Sequence, residues 1–541
     1  MVDIFFMYNA TRNTSRYSMM FCVLYRYGRT AAVETNSFQS LSHHKASKSS
    51  EDECCKPFTK MTDRKHVIVI VMGDLGRSPR MNYHALSLLE HGHRVTLIGY
   101  EGEDIMPQLK LHGSLLDVHR FTPFTPPSFL RRIKLFLPIY YLFRAIGLFH
   151  GLCQVLRQIE MQSDCILVQN PPSMPLLLVA YLYANIHERV TSVRPGLVID
   201  WHNLGFTMFG GAKLSLVARV ACEYEHIMGP LADGNLCVTK TMKEFLIQTF
   251  GIREDKICEV YDRPPEFFRP TKVDVMHDLM KRLKSDIEDQ CPHLAVPEQN
   301  RTLFTEVALK SGKRTFVERK DRPALIVSST SWTDDEDFGL FLNALCLLDK
   351  LLNSPDEPNC PNVVVIVTGK GPQRKMYEDQ MAKMELSPKM SILTLWLETT
   401  DYPKLLGCAD LGVSLHTSTS GLDLPMKVLD MFGCEVPVVA VDFSCLGELV
   451  QDGVNGNVIS NKSELANQMF ALIKEERDES GKITGNLALY RKNIKNMTRW
   501  RENWKEQAHD MIMSACPDLT TVAPNPHKSA TESNETSKKE D

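Results

Sequence analysis

A chain of 541 residues, 43% hydrophobic and 24% charged, is too long for one ordinary core and has the balance of a globular protein, which excludes a disordered chain and a polytopic membrane protein. Its formal net charge of -4 gives no general attraction to a phosphate backbone, so no nucleic-acid partner is expected. The 15 cysteines include no C-x-x-C pair and no Cys/His cluster at zinc spacing, which argues against a disulfide framework or structural metal and fits a reducing compartment.

Residues 1–64 open with MVDIFFMYNATRNTSRYSMMFCVLYRYGR, where Arg12, Arg16, Arg26 and Arg29 interrupt every apolar cluster before it reaches spanning length. Neither a signal peptide nor a membrane span is predicted there, and the Ser-rich continuation reads as a poorly ordered leader. HVIVIVMGDLGRSPRMNYHALSLLEHGHRVTLIGY follows: a β-branched run, a glycine loop, a helix closed near Gly92 and a second apolar run, the opening of a parallel βαβ sheet. Further buried strands are predicted at 165–169, 197–200, 235–239 and 257–260, which makes a Rossmann-like domain of 65–268. Within it, 135–156 (LFLPIYYLFRAIGLFHGLCQVL) follows basic Arg131, Arg132 and Lys134, and both a membrane-surface helix and a buried domain helix fit the pattern. Residues 269–322 turn charged and irregular and read as a linker or insertion. Strands predicted at 324–328, 363–368, 411–415 and 436–441 form a second Rossmann-like domain, 323–475. A helical segment is expected at 476–515 and a disordered polar tail at 516–541. The fold class is therefore α/β, two Rossmann-like domains facing each other across a cleft at the carboxyl ends of their strands.

Six motifs carry candidate chemistry. Gly73-Asp74-Leu75-Gly76-Arg77-Ser78-Pro79 opens a helix whose amides could attract an anion, or is a tight turn that only packs strand on helix; the third glycine of a dinucleotide fingerprint is missing. Gly369, Lys370 and Gly371 follow a strand and could let the backbone approach a phosphate while the ammonium neutralises it, or form a surface turn. In Ser418-Thr419-Ser420-Gly421-Leu422-Asp423-Leu424-Pro425-Met426-Lys427, Pro425 suits a helix start, so amides, Lys427 and Asp430 share one helical face that could hold a nucleoside diphosphate sugar. Thr333 and Glu336 read as a capping box rather than a metal-binding acidic cluster, and no obligatory metal is predicted. In the first domain, Asp200-Trp201-His202-Asn203 and Gln169-Asn170 end strands on the cleft side. His202 could remove a proton with Asp200 orienting it, or be a hydrogen-bonded core histidine.

Together, GDLGRSPRMNYHALSL, QNPPSMP, VIDWHNLG, LCVTKTM, SSTSWTDDEDF, TGKGP, WLETTDYPKLLGCADLGVSLHTSTSGLDLPMKVLDMFG and ELVQDGVNG closely resemble the chitobiosyldiphosphodolichol beta-mannosyltransferase family from about residue 66 to about residue 470, in the same order. The resemblance implies a GT-B glycosyltransferase that moves mannose from GDP-mannose, with inversion, to the terminal GlcNAc of a dolichol-diphosphate-linked chitobiose. That is an early step of lipid-linked oligosaccharide assembly for N-glycosylation. It further implies residence at the endoplasmic reticulum membrane with the catalytic domains on the cytosolic face, other mannosyltransferases of the same pathway as partners, and no cofactor. It carries the donor region onto Gly369, Lys370, Gly371, Asp423, Lys427 and Asp430, and first-domain loops onto Gly73, Gly76, Arg77, Asp200, His202 and Asn203, with Asn170 and Asn203 on the acceptor side. Where the broader GT-B transferases carry paired glutamates, this chain has Asp423 and Asp430. Alternatives on the same fold are a sugar-nucleotide epimerase or phosphorylase, or an inactive transferase-like scaffold of a membrane complex.

Overall fold

The structure, a computed structural model, describes residues 64–517 apart from 133–135, 160–161, 210–215, 311, 334–335, 359, 399, 419 and 475–483. The expected leader up to residue 63 and the expected tail from residue 518 lie outside the described residues, as do Asp334 and Asp335.

In the first domain, β1 (His66–Asp74), β2 (Arg94–Tyr100), β3 (Leu116–Phe121), β4 (Cys165–Asn170), β5 (Gly196–Trp201), β6 (Gly234–Cys237) and β7 (Ile257–Glu259) form a parallel sheet in the order β3-β2-β1-β4-β5-β6-β7. Its helices include α1 (Pro79–Glu90), α2 (Leu137–Leu156), α3 (Leu176–Thr191), α4 (Leu216–Met228) and α5 (Lys240–Phe250). Local sequence sets their ends: Pro79 stands in the first turn of α1, Thr239 accepts from the Met242 amide to cap α5, and left-handed Gly251 (φ +67°) stops it. One sheet face buries Ile68, Ile70 and Val168 against α3 and the second half of α2. The other buries Val67 and Val69 against α1.

Residues 269–322 are neither loose nor superficial. They form α6 (Val273–Arg282), α7 (Lys284–Gln290) and an antiparallel hairpin of β8 (Thr305–Lys310) and β9 (Lys313–Glu318), and Met276, Leu279, Ile287 and Phe304 enter the core of the second domain. The α6 sequence VDVMHDLMKR hides its apolar stripe among charges, which is why the segment reads as irregular.

The second domain repeats the first: β10 (Ala324–Ser329), β11 (Val363–Thr368), β12 (Met390–Leu395), β13 (Leu411–Ser414), β14 (Val438–Val441) and β15 (Gly456–Ile459) pair in parallel as β12-β11-β10-β13-β14-β15. Around this sheet lie α8 (Phe338–Leu352), α9 (Arg374–Met381), α10 (Met426–Gly433), α11 (Lys462–Ile473) and α12 (Gly485–Lys495). The helical run 500–515 then returns to the first domain, where Trp500, Trp504, Ala508 and Ile512 are buried against its sheet. In both sheets strand order reverses between the first and fourth strands, and loops leaving such a switch point define a crevice. Loops at the carboxyl ends of the two sheets meet: Asn203 after β5 donates to Asp423 before α10 at 2.9 Å, and the Thr239 hydroxyl after β6 donates to the Leu422 carbonyl at 2.7 Å.

Candidate active site

On the first-domain side Asp200 is the hub. Fully buried at the end of β5, its carboxylate accepts two hydrogen bonds from Arg80, at 2.9 and 2.8 Å, one from His84 at 3.1 Å and one from His202 at 2.7 Å. Burial alone would raise its pKa, but the Arg80 guanidinium, then His202 and His84, hold it well below the usual carboxylate range. An ionised carboxylate only accepts, so each imidazole presents Nε2–H to it. For His84 the tautomer is fixed from the other side, because Nδ1 accepts the Trp504 indole N–H at 2.9 Å. For His202, whose side chain is 22% exposed, the same logic leaves Nδ1 as a lone pair available to a hydroxyl. The structure thus joins His202 and Asp200, the two residues the sequence offers as a base and its orienter.

Asn170 and Asn203 lie beside them. Asn170 donates to Glu225 at 2.9 Å and to the Asn203 carbonyl at 3.4 Å, and its carbonyl carries the His202 amide at 2.8 Å. Glu225, on α4, also accepts the Gly205 amide at 2.9 Å and so pins the loop that carries Asn203. Burial pushes the Glu225 carboxyl up, against the pull of these donors.

On the second-domain side Lys427, in the first turn of α10, bonds to Glu336 and lies 3.2 Å from the Ser331 hydroxyl. Here the expected capping box fails. Glu336 is buried and accepts the Ser331 amide at 2.8 Å and the Thr330 hydroxyl, while Asp337 caps α8 by accepting from the Leu340 amide at 2.9 Å. A cation from α10 outcompetes a local cap because it satisfies a carboxylate already out of water. The glycines of the β11 loop meet the same turn: a Cβ on Gly369 (φ +142°) would lie 1.8 Å from the Thr330 carbonyl oxygen, and one on Gly371 1.8 Å from that of Ser331. Lys370 does not join them, its ammonium resting 3.6 Å from the ring centroid of Trp396. Asp423 receives Ser418 and Ser420 as well as Asn203. Asp430, further along α10, meets the Tyr402 hydroxyl at 3.3 Å. Burial, with a smaller push from Asp262 and against the Tyr402 hydrogen bond, raises its carboxyl to about 8.

The β1 loop stays outside both groups. Arg77 is mostly exposed and pairs with Glu103 at 2.6 Å, Gly73 has room for a Cβ, and a Cβ on Gly76 would strike the Asp104 carbonyl oxygen at 2.6 Å. Gly76 therefore serves close packing rather than an anion. The residue of this region that reaches the site is Arg80, two positions into α1, which also bonds Asp262 at 2.8 Å. Arg80, His84, Glu225 and Tyr402 escaped sequence reasoning, because each acts through a partner remote in the chain. Among the described residues no group of three or more His, Cys, Asp or Glu side chains is placed to hold a metal ion.

Residues 81–262 match the family described as Glycosyltransferase Family 4 and residues 323–475 the one described as Glycosyl transferases group 1. The chain is 39% identical over 468 residues to the chitobiosyldiphosphodolichol beta-mannosyltransferase of Homo sapiens, covering 83% of this chain and 93% of that protein. It is 33% identical over 488 residues to the protein of that name from Dictyostelium discoideum, covering 81% and 92%. A protein of Arabidopsis thaliana named UDP-glycosyltransferase TURAN is 38% identical over 486 residues, covering 84% and 98%. Among solved structures, Anabaena HepE, crystallised with UDP and glucose, superposes with a TM-score of 0.52 at 15% identity over 82% of this chain and 95% of that one, which bears on the fold alone. The double Rossmann architecture, together with 35–39% identity along most of the chain to relatives of that name, shows that the chain is a GT-B glycosyltransferase and belongs to the chitobiosyldiphosphodolichol beta-mannosyltransferase family.

Proposed function

We propose that the enzyme transfers mannose from GDP-mannose to the terminal GlcNAc of a dolichol-diphosphate-linked chitobiose in one inverting displacement, without a metal or other cofactor. The observation that carries this reading is the orientation of His202. With Nε2–H committed to Asp200, Nδ1 can take the proton of the acceptor hydroxyl as that oxygen attacks the anomeric carbon and the nucleoside diphosphate leaves on the opposite face. The Asp200 carboxylate then faces an imidazolium rather than an imidazole, which favours the proton transfer. Across the cleft, Lys427 and the amides at the start of α10 are suited to the charge that grows on the leaving diphosphate. Lys427 would exchange its Glu336 contact for phosphate oxygens. Asp430 and Asp423 are assigned to hydroxyls of the donor, and Asn203 to the acceptor. The names of the relatives support a dolichol-linked sugar acceptor, and we infer in addition that the enzyme works at the cytosolic face of the endoplasmic reticulum membrane alongside other mannosyltransferases of the pathway.

Labelled sugar transfer to lipid-diphosphate GlcNAc2 tests this, run with GDP-mannose and with UDP-sugars, each with EDTA present. A β-linked trisaccharide lipid from GDP-mannose alone, formed in EDTA, is the expected result. Product only from a UDP-sugar would overturn the donor assignment, and product only on adding a divalent metal would overturn the metal-free mechanism.

A further inference from the structure

α2 is long and apolar enough to cross a membrane, yet its second half belongs to the first domain: Leu148, Leu152, Val155 and Leu156 are buried in the core. Crossing a bilayer would pull these side chains out of that core. Its first half is different. Ile139, Leu142, Phe143 and Ile146, at i, i+3, i+4 and i+7, form one outward stripe in which each side chain is 42–55% exposed. Phe124, half exposed, extends the stripe by lying on Gly147, where a Cβ would meet its ring at 2.3 Å. Exposed Arg144 sits within it, and the sequence sets Arg131, Arg132 and Lys134 just ahead. An apolar stripe that carries exposed Arg144 and follows a basic stretch in the sequence has the composition of an interfacial helix rather than of a solvated surface.

The stripe is also connected to the catalytic wall. The 3-10 turn Gly205–Phe209 begins two residues after Asn203, and Phe209 at its far end meets the Tyr141 ring of α2 edge-on, with centroids 5.9 Å apart. Met208 beside it is 67% exposed. One short turn therefore separates a polar site that takes a hydroxyl from an apolar face that water does not favour.

We propose that this face docks on an anionic bilayer surface, with α2 lying along the interface rather than across it, and that the Gly205–Phe209 turn receives the sugar end of a membrane-borne acceptor from the lipid side. The role of the turn rests on the sugar-lipid acceptor proposed above, whereas the docking does not. The experiment uses the full chain, the paired variant Ile139→Glu/Phe143→Glu and the single variant Arg144→Glu. Binding is measured to vesicles of phosphatidylcholine with and without phosphatidylserine. Transfer is measured to a long-chain acceptor embedded in those vesicles and to a water-soluble short-chain acceptor. The paired variant should bind vesicles at least about tenfold more weakly and show a KM for the embedded acceptor raised by a similar factor. Its turnover on the soluble acceptor should stay within about twofold and its melting temperature should be unchanged, since these side chains already face outward. Arg144→Glu should lose only the gain in binding that phosphatidylserine confers. Unchanged vesicle binding by the paired variant would overturn the docking, and an equal loss on both acceptors would overturn the link to the site. Wild-type protein that binds vesicles but transfers to neither acceptor would refute the reading of function and leave the docking standing.

Discussion

Asp200 touches one guanidinium and two imidazoles, and substitutions at this hub separate catalysis from stability. His202→Gln keeps a donor for Asp200 but removes the basic nitrogen, so turnover should fall by ~10²–10⁴ with little change in melting temperature. Asp200→Asn should instead cost about 3–5 kcal/mol of stability as well, because it leaves the Arg80 guanidinium, 3% exposed, without its main counter-charge. A turnover series with thermal melts distinguishes the two, and full activity of His202→Gln across pH would remove the base assignment. Asp430 carries the clearest pH signature. Its carboxyl, raised to about 8, is largely protonated at pH 7. A carboxyl whose folded value is raised weakens the fold as pH climbs from the ordinary value of about 4 towards 8, and above 8 it adds a negative charge where a nucleoside diphosphate should bind. Donor affinity should therefore be flat from pH 6 to 7.5 and fall above 8, and Asp430→Asn should abolish the fall; a fall that persists in the variant assigns it elsewhere. The pairing of Asp200 with His202 was legible because both sit at one strand end. Glu336 was misread because Thr333-x-x-Glu336 satisfies a local rule, while its actual cation stands 91 residues away.

Element by element, what the sequence concealed lay mainly at sheet edges. The strands that went unpredicted in the two parallel sheets, β3, β12 and β15, are all edge strands, and LDVHRF of β3 mixes charge with aliphatic residues because one long side of it has no strand partner among the described residues. Central strands such as VVVIVT are buried on both faces and announce themselves as unbroken β-branched runs. Glycine loops show the complementary weakness: a glycine signals close approach without saying what approaches. Gly73→Ala should be nearly neutral, whereas Gly76→Ala meets the Asp104 carbonyl and Gly371→Ala that of Ser331, each calling for a backbone shift that costs about 1–3 kcal/mol. Chemical denaturation of the three variants checks the order. For Gly371→Ala the displaced Ser331 turn also carries the Glu336 and Lys427 contacts, so donor affinity should fall along with stability, while Gly76→Ala should leave donor affinity intact.

At the scale of the whole molecule, the two Rossmann-like domains are held by contacts that frame the cleft, and Glu448 makes the densest of them. From the second domain its carboxylate accepts the Lys240 and Thr241 amides at 2.8 and 3.0 Å, together with the Thr241 hydroxyl and the Tyr261 hydroxyl, the latter at 2.8 Å. It thus occupies the positive N-terminus of α5, an anion site that the first domain offers and the second fills. Burial pushes this carboxyl up, but the hydrogen bonds from Thr241 and Tyr261 outweigh that and hold it below its ordinary value. The sign follows: the contribution of the clasp is fully present above the unfolded carboxyl value of about 4.3 and is lost only as pH falls through the lowered folded value, so it is intact from pH 6 to 8. Substrates must enter and leave a cleft closed in this way, and charge-assisted hydrogen bonds of about 1.5–3 kcal/mol each make Glu448 a principal hold on the closed form. Glu448→Ala should shift the population towards an open form, seen as a larger radius of gyration by small-angle scattering, should raise KM for the donor by on the order of tenfold, and should lower the melting temperature through the loss of these bonds. Saturating donor and acceptor together should restore the compact form, because substrates held by the two walls meet across the cleft and supply the closure that the carboxylate no longer gives. A variant with wild-type dimensions and wild-type KM would mean that Asn203–Asp423 and Thr239–Leu422 suffice, and that closure is set at the site itself.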